Sequence, residues 1–397
     1  MSGNIIDSTF VHSYERKMDV IQETEYVRRL ASKFTWWTKV SHTREMNGQT
    51  ERLGWFLETA RIKPVGPAGS GSLTFEELAI QQAVYPSYRH GGGIKVQRDQ
   101  LQFLNGNGLN VLAEWSRQIG NEIAYYPQRL MAQLILNGAA TDGSANAYDN
   151  IPFFVCPTTT GSTSSGQAYS LGHPVNPFNL NAGYYWNQFT GSSSGNYPGA
   201  CPIDESVTVD VALQNLGKII SYISSIKMPN GVDPRFLTPV MIMVPPRMAP
   251  RVRELTQAKF IAQAASSGGG SADVEALITG WGLGEPVIVQ EIQANQTYAV
   301  QVPIINETNG NVGVMNETAT GSDNTFYVIC QEAMTTQLGA FLYLPGLPFK
   351  VNYYTGDAGG TGMDAILNRI NEFEYQVQGM VSVGYGHPYS VFRCQSS

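Results

Sequence analysis

Residue types that can move protons, hold metals or attack carbonyl groups are present in this chain, but their spacing does not assemble them. The histidines are His12, His42, His90, His173 and His387; none forms HxH or HExxH, so a common zinc spacing is missing. There is no GxSxG elbow and no Walker A loop. Gly106-Asn107-Gly108 follows a strand-like run and opens a helix-like one, as a dinucleotide fingerprint would. The third glycine position is Val111, however, so the string reads as a turn and helix start. Asp142 and Asp149 could act as an acid–base pair. Followed by Gly143 and Asn150, they read instead as turn formers. Arg247, Arg251, Arg253 and Lys259 form a basic helical face, expected to be solvated or ion-paired with another subunit rather than laid on DNA phosphate. Cys156, Cys201, Cys330 and Cys394 contain no CxxC pair and are expected to be free thiols of a reducing compartment, with a Cys156–Cys201 pair across the insert as the alternative. The expectation is a protein that is not an enzyme, with no cofactor and no metal.

Composition narrows the class further. The chain has 397 residues, 42% of them hydrophobic, enough for a substantial core. Only 14% are charged, against roughly 25% in an average soluble domain. With 41 glycines and 20 tyrosines, the surface must rely on neutral polar and aromatic groups. Such a surface repels its own copies weakly, and Tyr and Trp are common interface anchors. Lys and Arg number 25 against 32 Asp and Glu, a net charge of −7. Proteins that depend on phosphate contacts carry a basic excess, so sequence-specific nucleic-acid binding is not expected. A mildly acidic wall around packed nucleic acid fits the balance. The first residues contain no apolar core of signal-peptide length, and no stretch approaches a membrane span of about 20 apolar residues. N-x-T triplets at Asn295, Asn306 and Asn316 are incidental to an Asn/Thr-rich segment.

The elements that would position these residues are uneven. Residues 1–18 read as an irregular arm, followed by an amphipathic helix over 19–40 with Val20, Ile21, Val27, Leu30, Phe34 and Trp37 on its stripe. Arg52 to Lys63 looks extended and ends in the flexible PVGPAGSGS. Residues 73–103 read as a long two-stranded ribbon, with Gly91-Gly92-Gly93 in or beside its turn. A helix from about Leu109 places Leu112, Trp115, Ile119, Ile123, Leu130 and Leu134 on one stripe. Pro127 lies inside it, which predicts a kink or two helices abutting near Tyr126. Residues 156–204 read as a structureless surface insert whose aromatics dock on neighbouring copies. Regular structure resumes with a helix around Leu213–Ile226, a strand at Val240–Val244, a helix at 248–265 and a strand at 286–292. Ser266–Ser271 is a flexible loop and 293–322 is polar and irregular. The C-terminal part is rich in strands, ending in FEYQVQGMVSVGY.

The order of these strings resembles the tailed-phage major capsid family, with its Hong Kong 97-like fold, and within it the Mu-like phage major head subunits. The strings are GWFLETARIKPVG, GGGIKVQRDQLQF, RLMAQLILNG, DNIPFFV, LTPVMIMVPPRMAPRVRELTQAKFI and FEYQVQGMVSVGYGHPYSVFR, spread over residues 50–393. The resemblance implies an α+β fold: an N-terminal arm at 1–54, an extended β-hairpin loop at 55–103, and a spine helix opening the peripheral domain at 104–155. It further implies a surface insert at 156–204, an axial domain at 205–325, and peripheral strands at 326–397. It implies self-assembly as hexamers and pentamers into an icosahedral head around double-stranded DNA, without sequence-specific binding and without a membrane. Portal, scaffolding and decoration proteins are its implied partners. The implied location is the virion, after assembly in the bacterial cytoplasm. The arm, short and starting at Met1, leaves no room for a cleaved scaffold domain. An encapsulin-like compartment shell, or a secreted β-rich enzyme or lectin, are the alternatives. Apolar residues in the ribbon are too sparse for a core of its own, so it is expected to lie on a neighbouring copy. Arg89, Lys95 and Arg98 on its limbs are the candidate contacts for carboxylates there.

Overall fold

The computed structural model describes residues 8–32, 35–46, 48, 50–56, 80–97, 108–257, 283–305, 312–335, 339–353 and 372–396. In chain order, helices α1 (Ser8–Leu30) and α2 (Trp37–Val40) precede strands β1 (Ser41–Thr43), β2 (Thr50–Phe56), β3 (Ile80–Pro86) and β4 (Tyr88–Gln97). The long helix α3 (Gly108–Asn137) follows, then the short strands β5 (His173–Pro174), β6 (Tyr184–Tyr185) and β7 (Gln188–Phe189). Next come α4 (Val209–Ser225), β8 (Pro239–Val244), α5 (Ala249–Gln257) and β9 (Val287–Ile288). The chain closes with β10 (Thr297–Ile305), β11 (Val312–Thr320), β12 (Thr325–Cys330), α6 (Glu332–Thr335), β13 (Phe341–Tyr353), β14 (Glu372–Tyr385) and β15 (Val391–Gln395). The α+β class expected from the sequence is the class observed.

Helix α3 is covered on two sides, and this sets its residue pattern. Its deepest positions are Ser116, Gly120, Ala124, Gln128, Met131, Ala132 and Ile135. Trp115, Ile119, Ile123, Leu130 and Leu134, the expected stripe, are only half-buried beside that line. Small residues in the N-terminal half admit α1, which buries Met18, Gln22 and Glu25 and leaves Val20 and Val27 in solvent. The stripe read for α1 was therefore rotated, and the helix begins at Ser8, inside the expected irregular arm. Helix α3 runs through Pro127 unbroken, so the two-helix alternative does not occur. Proline removes only the bond to the Ile123 carbonyl, and packing on both sides holds the remaining turns.

Two larger sheets flank this frame. The first has strand order β1-β13-β14-β4 and the second β7-β15-β12-β8-β9. One core joins α3, α2 and the first sheet through Trp37, Met131, Ile135, Phe153, Phe341 and Tyr385. The other lies under α4, where Ala212, Leu216, Ile219 and Ile223 recur at helical spacing against Ile242, Val328 and Phe392. Strand β12 opens the segment read as peripheral, yet it pairs with β8 of the segment read as axial, so the two share a sheet.

Three expectations change. The ribbon does not fold back at Gly91-Gly92-Gly93; those glycines lie inside β4, paired in register with Gln378, Val377 and Gln376 of β14. A Cβ at Gly91 would meet the Val377 carbonyl at 2.6 Å, so this glycine permits a close strand approach rather than a turn. The observed two-stranded ribbon is β2 with β3, from Thr50↔Pro86 to Phe56↔Ile80. Residues 156–204 are not structureless: His173, Asn187, Phe189, Tyr197 and Cys201 are buried, and β7 joins the second sheet beside β15. Its buried aromatics pack on their own chain, with Phe189 stacked on Phe392 at 5.8 Å and edge-on to Tyr222 at 5.2 Å. The described parts of 293–322 are not irregular either, because β10 and β11 form an antiparallel pair. Ser266–Ser271 lies outside the described residues.

Gly120 is the tightest point between α1 and α3. A Cβ there would stand 2.5 Å from the Gln22 backbone carbonyl, which cannot rotate away. Gly120→Ala gains about 1 kcal/mol of helix propensity, but overpacking against backbone costs roughly 1–3 kcal/mol. A net loss of up to about 2 kcal/mol is expected in urea unfolding, with α1 becoming the preferred site of proteolysis.

Candidate interaction surface

Strand β4 alternates, and the alternation divides its residues between helix and solvent. His90 faces α3: its Nδ1 lies 2.6 Å from the Tyr126 hydroxyl and its Nε2 lies 3.3 Å from the Val381 carbonyl of β14. The carbonyl can only accept, so Nε2 carries the proton and Nδ1 accepts from Tyr126. Arg89 and Lys95, at odd positions, are exposed on the opposite face. The structure thus places both predicted residues together, but on the edge strand of the first sheet rather than on a free ribbon. Lys95 is in register with Glu374 and Arg89 with Met380. Arg98 lies outside the described residues.

A residue that the sequence reading missed completes this surface. Lys350 of β13 is in register with Gln378, which shares a strand face with Met380, so Lys350 and Arg89 approach the same spot from either side of β14. They line an open depression of about 270 Å³ together with Leu347, Gln378 and Met380. Register shifts around Leu347 and Lys350 push this part of β13 outward. The volume falls below the roughly 300–1,000 Å³ of usual small-molecule sites. Alternation within FKVNYY was the available signal for Lys350, but the bulges obscure which face each residue takes.

The root of the β2–β3 ribbon is fixed on its own chain. Leu53 and Tyr85 are buried with Met46, Tyr148, Leu342 and Leu344. The Tyr85 ring lies on Gly384, and its hydroxyl donates to the Tyr385 carbonyl at 2.6 Å. The Tyr385 hydroxyl in turn donates to the Leu134 carbonyl of α3 at 2.7 Å. The described part of the span 73–103 therefore belongs to this chain's own fold, which corrects the expectation of packing mainly on a neighbour. Residues 73–79 and 98–103 lie outside the described residues.

Other polar clusters have structural roles. The His173 Nδ1 lies 2.7 Å from Asp149 Oδ2, as in an acid–base pair, but Nε2 faces the Phe153 carbonyl at 3.2 Å and both side chains are buried. No substrate reaches them. Asp142 and Asp149 accept from the backbone N–H groups of Ser144 and Ile151, and Asn150 has φ of 62°, the expected turn roles. Arg247, Arg251 and Arg253 pair with Asp323, Glu254 and Glu285 of the same chain, and Lys259 lies outside the described residues. Cys156, Cys201, Cys330 and Cys394 are free and buried. Burial pushes the Cys201 thiol up to about 11, and those of Cys330 and Cys394 also rise, so these three are not poised for nucleophilic work. Among the described residues, no group of three or more His, Cys, Asp or Glu could hold a metal, and no helix is long and apolar enough to cross a membrane.

No family model matches the sequence, and no curated protein matches it. Solved structures do. The chain is similar to the capsid structure of cyanophage P-SCSP1u, at 14% identity over 90% of this chain and 86% of that one, with a TM-score of 0.49. It is similar to the mature capsid of bacteriophage PhiM1 at 11% identity over 91% and 86%, with a TM-score of 0.47. A virus-like particle from Pyrococcus furiosus matches at 10% identity over 96% and 99%, with a TM-score of 0.43.

Two histidines make stability depend on pH. Burial holds His387 well below its usual 6.5, helped by the nearby Arg235 guanidinium, and burial also lowers His90. The unfolded chain takes up these protons near pH 6.5 while the folded chain does not. Stability is therefore full above that pH and falls below it, by at most about 1.4 kcal/mol per pH unit for each group. The thermal midpoint should drop as pH is lowered from 6.5 toward about 5, and His387→Gln should flatten that slope whatever it does to the midpoint at neutral pH.

Proposed function

We propose that this chain is the major capsid subunit of a tailed double-stranded DNA bacteriophage, with a Hong Kong 97-like fold and of the Mu-like kind. On this reading it assembles as hexamers and pentamers into an icosahedral head, is located in the virion, and meets portal, scaffolding and decoration proteins there. The observation that carries the reading is the β2–β3 ribbon. It forms a two-stranded sheet of its own, rooted beside a 30-residue helix. A two-stranded ribbon alone is marginal in water. Contacts from a neighbouring copy would supply what it lacks, and a closed shell supplies them to every subunit. The low charge content of 14% and the free buried thiols fit repeated self-association in a reducing cell. We assign the arm to residues 1–54 and the spine to α3; residues 57–79 of the expected extended loop lie outside the described residues. Strand β4 then belongs with the sheet over the spine rather than with the loop.

Purified protein should sediment as capsomers or shells and show shells in micrographs; a stable monomer that turns over a substrate would overturn the reading. Shells that load cellular protein and never nucleic acid would shift it to an encapsulin-like compartment. Arg89, Lys95 and Arg98 are proposed contacts with carboxylates of an adjacent copy. Reversing all three to Glu should leave the circular dichroism spectrum intact and impair shell formation. Each exposed pair contributes only about 0–1 kcal/mol, but the shell repeats it in every subunit.

A further inference from the structure

We propose that the open depression formed by Arg89, Leu347, Lys350, Gln378 and Met380 receives the acidic run Asp204–Asp210 of a second copy of this chain. The inference rests on the shell-subunit reading and names one of its contacts.

Arg89 and Lys350 are exposed and share the depression. Several arginines elsewhere on the described surface have carboxylate partners, as Arg44 with Glu51, Arg117 with Glu114, Arg247 with Asp323 and Arg253 with Glu285, though exposed Arg52 has none among the described residues. Among the described residues, Arg89 and Lys350 have none. Two neighbouring cations without a counter-charge repel each other, and here they do so in a chain of net charge −7. Leu347, across Met380 from Arg89 and lining the same depression, is 55% exposed, on a bulge of β13. The depression thus pairs uncompensated positive charge with an apolar centre, the make of a protein contact rather than of a solvated face.

Its complement is on the same chain. Asp204, Glu205 and Asp210 form no ion pair among the described residues, and Val211, 40% exposed, follows them. This run leads into α4, over the core of the second sheet, whereas the depression lies on the first sheet. Two different, complementary patches on one chain make a head-to-tail contact, and such contacts close into rings when the rotation allows. A hexamer or pentamer is such a ring. Nucleic-acid phosphate could meet the same cations, but it would not use the apolar centre, and the acidic net charge opposes it.

The test uses three variants of the full chain: Arg89→Glu with Lys350→Glu; Asp204→Lys with Glu205→Lys and Asp210→Lys; and all five together. Sedimentation velocity and micrographs read assembly, and circular dichroism confirms folding. Each partial variant should need roughly tenfold more protein to assemble, and the five-fold variant should return to within about threefold of wild type. If wild type itself remains a monomer, the shell reading fails and this inference with it. If wild type assembles and the first variant assembles equally well, the inference alone fails. Loss in both partial variants without restoration in the combined one also overturns it, because a phosphate or another protein then occupies the depression. Should the first variant misfold, Arg89→Gln with Lys350→Gln replaces it, and unchanged assembly of that variant overturns the inference.

Discussion

The turn of α3 around Pro127 is the point on which the rest of the structure is hung. Proline leaves the helix one hydrogen bond short there, and its two neighbours are tied outward in opposite directions. Tyr126 holds His90 of β4, and through it the Val381 carbonyl of β14. Gln128 accepts from the Trp36 backbone N–H at 3.2 Å and donates to Glu291, which also accepts from Trp36 Nε1 at 3.0 Å. The segment before α2, the first sheet and the segment at 290–292 are thereby registered to one helical turn. Each bond contributes only about 1 kcal/mol net, but a partner removed from this buried site leaves a polar group unsatisfied at roughly 1–3 kcal/mol. That asymmetry makes the junction specific rather than merely stable. It also sets the surface: with His90 locked inward, alternation requires Arg89 to face outward.

From the same helix a second set of contacts runs to the ribbon. Leu134, Tyr385 and Tyr85 are joined by consecutive tyrosine hydroxyl–carbonyl bonds, and Tyr85 sits at the root of β3. Only Ser87 separates β3 from β4, yet the strand changes partner there, from β2 to β14. The root of the ribbon is therefore tied to the helix through the C-terminal end of β14. A tilt of the ribbon would have to break a buried tyrosine bond or move Tyr85 off Gly384, where it has no room beneath it.

Long periodic elements were legible in the sequence because many residues vote for each: α3, α4 and β14 fall close to where periodicity puts them. Pairing was not legible. Gly91-Gly92-Gly93 carries a strong local turn signal, but the strand that fixes it is β14, far along the chain, and the close approach of Val377 is what requires glycine. Residues 156–204 were misread for a related reason. Their polar composition suggests solvent, whereas Asn187 donates to the Phe153 and Pro388 carbonyls and accepts from Val155 N–H, all inside the protein. Composition reports that a group is polar and not whether the chain itself will satisfy it. The exposure of Arg89 and Lys95 was legible because charge stands out in a weakly charged chain; that of Lys350 was not, because bulges hide its face.

These features divide the work between two kinds of interaction. Inside the subunit, contacts are buried, directional and all-or-none, so the body has a single shape. On its surface they are sparse: few charges, an open depression, a short acidic run and a ribbon with no sheet to join. A shell of the proposed kind would need this division. If the contacts between copies were as strong as those within them, a misplaced subunit could not leave, and errors would be trapped. Weak contacts allow a wrongly seated copy to dissociate, while ring closure makes each correct one count more than once, since breaking a closed ring requires two contacts to open together. A weakly charged surface serves that end, because specificity then comes from the few places where charge is left uncompensated. The tyrosine and histidine links hold those places at fixed positions, which is what weak contacts repeated around the proposed ring would need to stay in register.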